Sequence, residues 1–141
     1  MNYRALGKTG MTVSSIGLGS GGISSLDSEV AVPMIQRAID LGVNYIDTAR
    51  GYGVAEINFG MALKGQRDKV YISSKTQGLT AEGAWKQLHE SLERLQTSYL
   101  DNYHLHCLRN EADLDARLAP GGPLEALIKA KNQGLIRHIG C

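Results

Sequence analysis

Only two cysteines, Cys107 and Cys141, occur in the 141 residues. Two are too few for a disulfide framework, and nothing in their setting suggests secretion. No apolar run approaches the ~18 residues a membrane-spanning helix needs. Met1 to Lys8 lacks the apolar stretch at the centre of a secretory leader, so no leader is expected. No sign of charge dominates: 15 Lys and Arg stand against 14 Asp and Glu, a formal net charge of +1 with a pI near 7.8. There is no basic field to hold nucleic acid and no like-charge block to act as a tail. The expectation is a cytoplasmic protein that engages neither nucleic acid nor membrane.

What is present is an ordinary globular composition, 43% hydrophobic and 21% charged, with a surplus of glycine at 17 residues. Length and composition allow one domain, residues 1–141, with a real core. Short β-like runs alternate with amphipathic windows. Tyr3 to Leu6 and Met11 to Ser14, around Gly7-Lys8-Thr9-Gly10, read as a hairpin. Ser15 to Gly19 follows as a first buried strand. Asp27 or Ser28 caps a helix whose Ala31, Ile35, Ala38 and Ile39 share a face, and Gly42 stops it.

Val43 to Asp47 is a second strand, followed by a helix from Ala55 to Leu63. Lys69 to Ser74 is a third strand. Thr80 caps a long helix carrying Trp85, Leu88, Leu92 and Leu95 at helical spacing. Tyr99 to His106 is a fourth strand. Arg109 to Gly122 reads as a polar loop, and a helix with Leu124, Leu127, Ile128 and Ala130 runs to Gly134. Leu135 to Gly140 begins a fifth strand.

Strands alternating with helices imply a parallel sheet with right-handed crossovers. The strand ends fall near Gly19, Asp47, Lys75 and His106, at intervals of 28, 28 and 31 residues. Eight such βα units make a (β/α)₈ barrel of ~250 residues. Here there are four units and a fifth strand: a half-barrel.

Asp47, Lys75 and His106 each close a strand, and Tyr52 lies just past Asp47. In a barrel the C-terminal strand ends form the catalytic rim. Lys75 and Asp47 on neighbouring strands can pair as ions, and Lys75 favours ionisation of a nearby tyrosine. Such a tyrosine can give a proton to a carbonyl oxygen, and a neutral His106 can orient that oxygen by a hydrogen bond.

These residues also meet a known pattern. Asp47-Thr48-Ala49-Arg50-Gly51-Tyr52-Gly53, followed by Ala55-Glu56, resembles the DTAxxYGxxE signature of the aldo-keto reductases. Arg4 to Gly10, Val13 to Gly19, Ser73-Ser74-Lys75-Thr76, Ser91 to Leu95, Asp101 to His106 and Ile136 to Gly140 extend the resemblance along the chain, with bacterial and archaeal members the most alike. It implies an NADPH-dependent oxidoreductase that reduces aldehydes and ketones. Tyr52 would be the proton donor, Lys75 its activating cation, Asp47 the partner of Lys75, and His106 the residue that orients the substrate. The hairpin at residues 3–14 would close the barrel bottom.

The glycine-rich turn after the first strand lacks both GxGxxG and a P-loop lysine. It suits backbone approach to the nicotinamide end of the cofactor, so Gly19, Ser20 and Gly21 join Asp47 as expected cofactor contacts. The family's other cofactor loops follow strands five to eight, so most of that site is expected beyond Cys141. The chain is then expected to be an incomplete sequence, with little or no reductase activity alone.

Three departures bear on substrate choice: Ala55 in place of a serine, Asn102 at a commonly apolar position, and Cys107 where an aromatic residue often lines the pocket. Glu56 reads as a first-turn helix acid favoured by the helix dipole. His104, His106 and Cys107 invite a zinc reading. Cys107 points away from the two histidines, however, and no other pair has ligand spacing, so no metal is expected. A different class of reading is a non-catalytic half-barrel that self-associates through its open edges, or a cofactor-sensing regulatory subunit.

Overall fold

The computed structural model describes all residues, Met1–Cys141. Strands β1 (Tyr3–Ala5) and β2 (Thr12–Ser14) form an antiparallel hairpin. A second sheet holds five parallel strands in sequential order: β3 (Leu18–Gly19), β4 (Tyr45–Asp47), β5 (Tyr71–Thr76), β6 (Leu100–Leu105) and β7 (Ile136–Gly140). Helices α1 (Ser28–Asp40), α2 (Ala55–Ala62), α3 (Ala81–Arg94), α4 (Glu111–Leu118) and α5 (Pro123–Asn132) fill the connections. The half-barrel of βα units read from the sequence is therefore the observed architecture.

The core lies between strands and helices. Ile46, Ile72 and Tyr103 point from the sheet towards Ile35, Phe59, Leu88, Leu92 and Leu127, and all eight are buried. Because side chains alternate along a strand, the other face carries Tyr45, Asp47, Ser73, Lys75, Asn102 and His104. The register places these neighbours side by side, Asp47 opposite Ser73 and Lys75 opposite His104. One face thus holds the fold together while the other gathers polar groups.

The hairpin docks on the N-terminal end of β4 through Asn44. The Asn44 side chain accepts from the Ser14 amide at 2.6 Å and donates to the Thr12 carbonyl at 3.0 Å, and its own amide donates to Ser14 Oγ at 3.1 Å. The Tyr3 hydroxyl donates to the carbonyl of Gly42, the residue that ends α1 with φ of +94°.

Several expectations need correction. Lys69 is not strand: Arg67–Lys69 form a turn of 3-10 helix, and β5 runs from Tyr71 to Thr76. Arg67 causes this by donating to the Val70 and Tyr99 carbonyls and to Asp101. The polar stretch Arg109 to Gly122 is not only loop, because it contains α4, capped by Asn110 accepting from the Asp113 amide at 2.8 Å. Ser15 to Gly17 lie outside the sheet and are exposed, and β3 is only Leu18–Gly19. Ile128 is exposed rather than on the buried face of α5. Tyr99 does more than pack in a strand: its ring lies between the guanidinium groups of Arg67 and Arg137, at 4.2 and 4.3 Å.

Candidate active site at the C-terminal strand ends

Each element delivers its polar residue for a local reason. Beyond Asp47 the chain stays tied to β5, with the Thr48 amide donating to the Ser73 carbonyl and the Arg50 amide to the Lys75 carbonyl. A turn closed by the Tyr52 amide on the Ala49 carbonyl then sends Tyr52 back over the strand ends. Gly53 follows with φ of +49°, and a Cβ there would stand 2.2 Å from the Ser24 carbonyl oxygen, so no other residue fits. His106 continues β6 by one residue, its amide donating to the Thr76 carbonyl at 3.0 Å.

These elements bring Asp47, Tyr52, Lys75 and His106 together. Lys75 Nζ donates to Asp47 Oδ1 at 2.6 Å and to the Thr48 carbonyl at 2.8 Å. The same ammonium stands 5.1 Å from the centre of the Tyr52 ring. Tyr52 Oη lies 3.3 Å from His106 Nε2, the two rings meeting edge to face. Burial lowers the His106 pKa below its ordinary 6.5, and the Lys75 charge adds to the effect. His104 shifts the same way for the same two causes. His106 therefore stands neutral in neutral water, a group that can donate one hydrogen bond and accept another.

Two clefts flank the Tyr52–His106 contact. One, about 480 Å³, is lined by Ser20, Gly21, Ser24, Asp47, Tyr52 and Gly53. Gly19 ends β3 beside Asp47 but does not line this cleft. Open space surrounds the backbone at Gly19, Gly21 and Gly22, with nothing within 4 Å of where a Cβ would stand. The other cleft, about 370 Å³, is bordered by Gln77, His106, Cys107, Arg109, Asp113 and Arg117. Cys107 lies exposed at its edge with φ of +59°, a conformation uncommon outside glycine.

Sequence reasoning missed two contributors and the burial of a third. Ser24 borders the first cleft and its carbonyl accepts from the Val54 amide, but only the fold brings it near Tyr52. Arg117 is buried beside His106, and its one visible signal was a basic residue within a segment read as a loop. Glu56 does occupy the first turn of α2, as expected, yet it is 1% exposed and accepts from Ser74 Oγ at 2.7 Å. Burial raises its pKa above the ordinary 4.5. It lies behind the sheet on Ser74, the neighbour of Lys75 in β5, where a helix dipole argument alone would not place it.

Residues 15–141 match the model of the aldo/keto reductase family. L-galactose dehydrogenase of Arabidopsis thaliana is 36% identical over 155 aligned residues, which take in 99% of this chain and 48% of that protein. The structure of a thermostable aldo-keto reductase bound to the inhibitor epalrestat superposes with a TM-score of 0.84 at 34% identity, over 99% of this chain and 53% of that one. An aldo-keto reductase from Klebsiella pneumoniae in complex with NADPH gives a TM-score of 0.78 at 32% identity, over 92% of this chain and 45% of that one. The chain spans about half the length of the relatives it matches. Nearly the whole chain takes part in each of these likenesses, and it belongs to the aldo/keto reductase family.

Proposed function

We propose that the protein carrying these residues reduces a small aldehyde or ketone to an alcohol with NADPH, Tyr52 giving the proton. The observation that carries this reading is the meeting of two short contacts at one sheet end: Lys75 on Asp47 at 2.6 Å, and Tyr52 Oη against His106 Nε2 at 3.3 Å. A bound NADPH would supply hydride to the carbonyl carbon and leave as NADP⁺.

The chain's own residues do the rest. His106, neutral, holds the carbonyl oxygen towards Tyr52 by a hydrogen bond. Tyr52 transfers its hydroxyl proton to that oxygen and recovers one from solvent. Lys75 presents a positive charge to the phenolate left behind, a preorganised charge of the kind that is most effective in a partly dry site. Asp47 fixes the ammonium in place. The cleft bordered by Ser20, Gly21 and Asp47 suits the nicotinamide end of the cofactor, because its open glycine backbone lets a flat ring approach closely. Gly19 shapes the turn from beside it.

Replacing Tyr52 by Phe in the protein removes the proton donor and little else, since the ring keeps its contact with Lys75. NADPH consumption with a panel of aldehydes and ketones should fall by about 10²–10⁴-fold, the usual worth of a positioned acid, with an unchanged melting temperature. Undiminished turnover in Tyr52→Phe would sink the reading.

A further inference from the structure

We propose that the cleft beside His106 is an acid-binding pocket in which Arg117 grips a carboxylate carried by the carbonyl substrate, so that the preferred substrates are short oxo acids. The inference rests on the reductase reading above and adds the substrate class to it.

Arg117 is 6% exposed. Four ion pairs occur in the structure, and none includes it. Its guanidinium donates only to the Gly78 and His106 carbonyls, at 3.4 and 3.3 Å. Both contacts lie beyond the usual 2.7–3.2 Å range of N–H···O bonds. A guanidinium has five N–H groups in a fixed fork, so most of its donor capacity is unused. A largely buried cation without an acid partner, its spare donors turned to an open cleft, favours an anion that enters beside it.

The space for that anion is the cleft of about 370 Å³ that Arg117 borders. A second cation, Arg109, stands exposed at its rim. The one carboxylate present, Asp113, is turned to the start of α4, where its Oδ2 accepts from the Arg109 amide at 3.2 Å. The lining thus holds two cations against one acid that is already engaged. Arg forks match carboxylates in a bidentate manner, which favours a planar acid over a bare halide.

Position sets the length of the substrate. Arg117 Nη2 bonds the backbone of His106, and the ring of that same residue reaches Tyr52. A substrate that reaches from the Arg117 fork to Tyr52 across this one residue is short, as a 2-oxo acid is. A long aliphatic or aromatic ketone would leave the Arg117 fork without a partner.

The test compares 2-oxobutanoate with its neutral amide, which has nearly the same shape. Calorimetric titration, with and without NADP⁺, reads binding; NADPH oxidation reads kcat/KM. The acid should be favoured roughly 10–100-fold in both, the range of a charge-assisted hydrogen bond. Arg117→Met should erase the preference, and Arg117→Lys should restore part of it. An acid-to-amide ratio near one in the unsubstituted protein overturns the proposal, whether or not Arg117→Met folds. So does an Arg117→Met protein that melts normally and keeps the preference, which would make Arg117 a structural clasp. Failure of the two readings looks different. Acid-selective binding without turnover would remove the reductase activity and leave the pocket. Equal turnover of acid and amide would do the reverse.

Discussion

The same strands carry a charged cluster at each end, and the two are built on opposite terms. At the N-terminal end Asp101 is 1% exposed, and every demand on it is met. Its Oδ2 accepts from Arg67 at 2.7 Å and from the Ile72 amide at 2.9 Å, and its Oδ1 from Arg137 at 3.0 Å. The two guanidinium groups close over Tyr99. At the C-terminal end demands are left open. Asp47 is 43% exposed at its side chain. His106 Nδ1 is buried with no partner, and Arg117 has no counter-charge. Satisfied polar groups fix strands in register; unsatisfied ones wait for a ligand. The strand ends of a barrel divide labour in this way, stability below and chemistry above.

Removing one member from each cluster separates the two roles. Asp101→Ala leaves Arg67 facing a buried void and orphans the Ile72 amide. It should cost about 3–5 kcal/mol of stability, as when one partner of a buried pair is lost, read by denaturant unfolding. Lys75→Met should do the opposite. Turnover should fall by about 10²–10³-fold, the scale of a lost preorganised charge. Stability should fall by less than about 1 kcal/mol, because the Asp47 carboxylate left behind is largely solvated. If Lys75→Met unfolds the protein and Asp101→Ala does not, the assignment of roles to the two ends is wrong.

How much of this was legible in the sequence differs between the ends for a physical reason. Asp47, Lys75 and His106 sit at regular intervals set by the βα unit, so the periodicity that defines the fold also marks the rim, and Tyr52 follows Asp47 in the loop that leaves it. Asp101, Arg67 and Arg137 carry no such mark. Their pairing joins residues 34 and 36 positions apart, and charged residues in a strand read as solvent-facing until the register is known. Helix α4 stayed hidden because it has no buried apolar stripe: Leu114 and Leu118 are exposed, and Arg117 is its one buried residue. Helix α1 was legible despite Pro33, since Ala31, Ile35 and Ile39 keep the spacing and Pro33 lies on the exposed side.

A smaller effect sharpens the contrast between the two carboxylates that the sheet buries. Asp101 is paired with two cations, whereas Glu56 is buried against Ser74 with its Oε2 unpartnered and its pKa raised. A raised folded pKa contributes stability that is fully present below the ordinary 4.5 and lost as pH rises through the folded value. Glu56→Gln should therefore match the unsubstituted protein near pH 4.5 and exceed it increasingly towards neutral pH. His104 and His106, both shifted below 6.5, make stability fall as pH drops through their range. That fall is common to both proteins, so their difference isolates Glu56. A constant offset between the two melting curves at every pH would mean that Glu56 titrates normally.

The smallest expected effect concerns α4, the helix that brings Arg117 to the rim. Its N-cap Asn110 accepts from the Asp113 amide, and no buried apolar face adds to that support. Asn110→Ala should remove about 1 kcal/mol, the usual worth of such a cap. Thr80, which caps α3 by accepting from the Gly83 amide at 3.1 Å, should cost a similar amount when replaced by Ala. The two losses should appear in different places. Helix α3 packs on the core through Ala84, Leu88 and Leu92, so Thr80→Ala lowers global stability. Helix α4 is tied down by little besides Arg117, so Asn110→Ala should leave the melting temperature almost unchanged. Instead it should speed hydrogen exchange at the amides of residues 115–118, a local opening of low free energy. Exchange accelerated across the whole sheet would show that α4 belongs to the cooperative core, and would erase the distinction between a rigid base and a yielding rim.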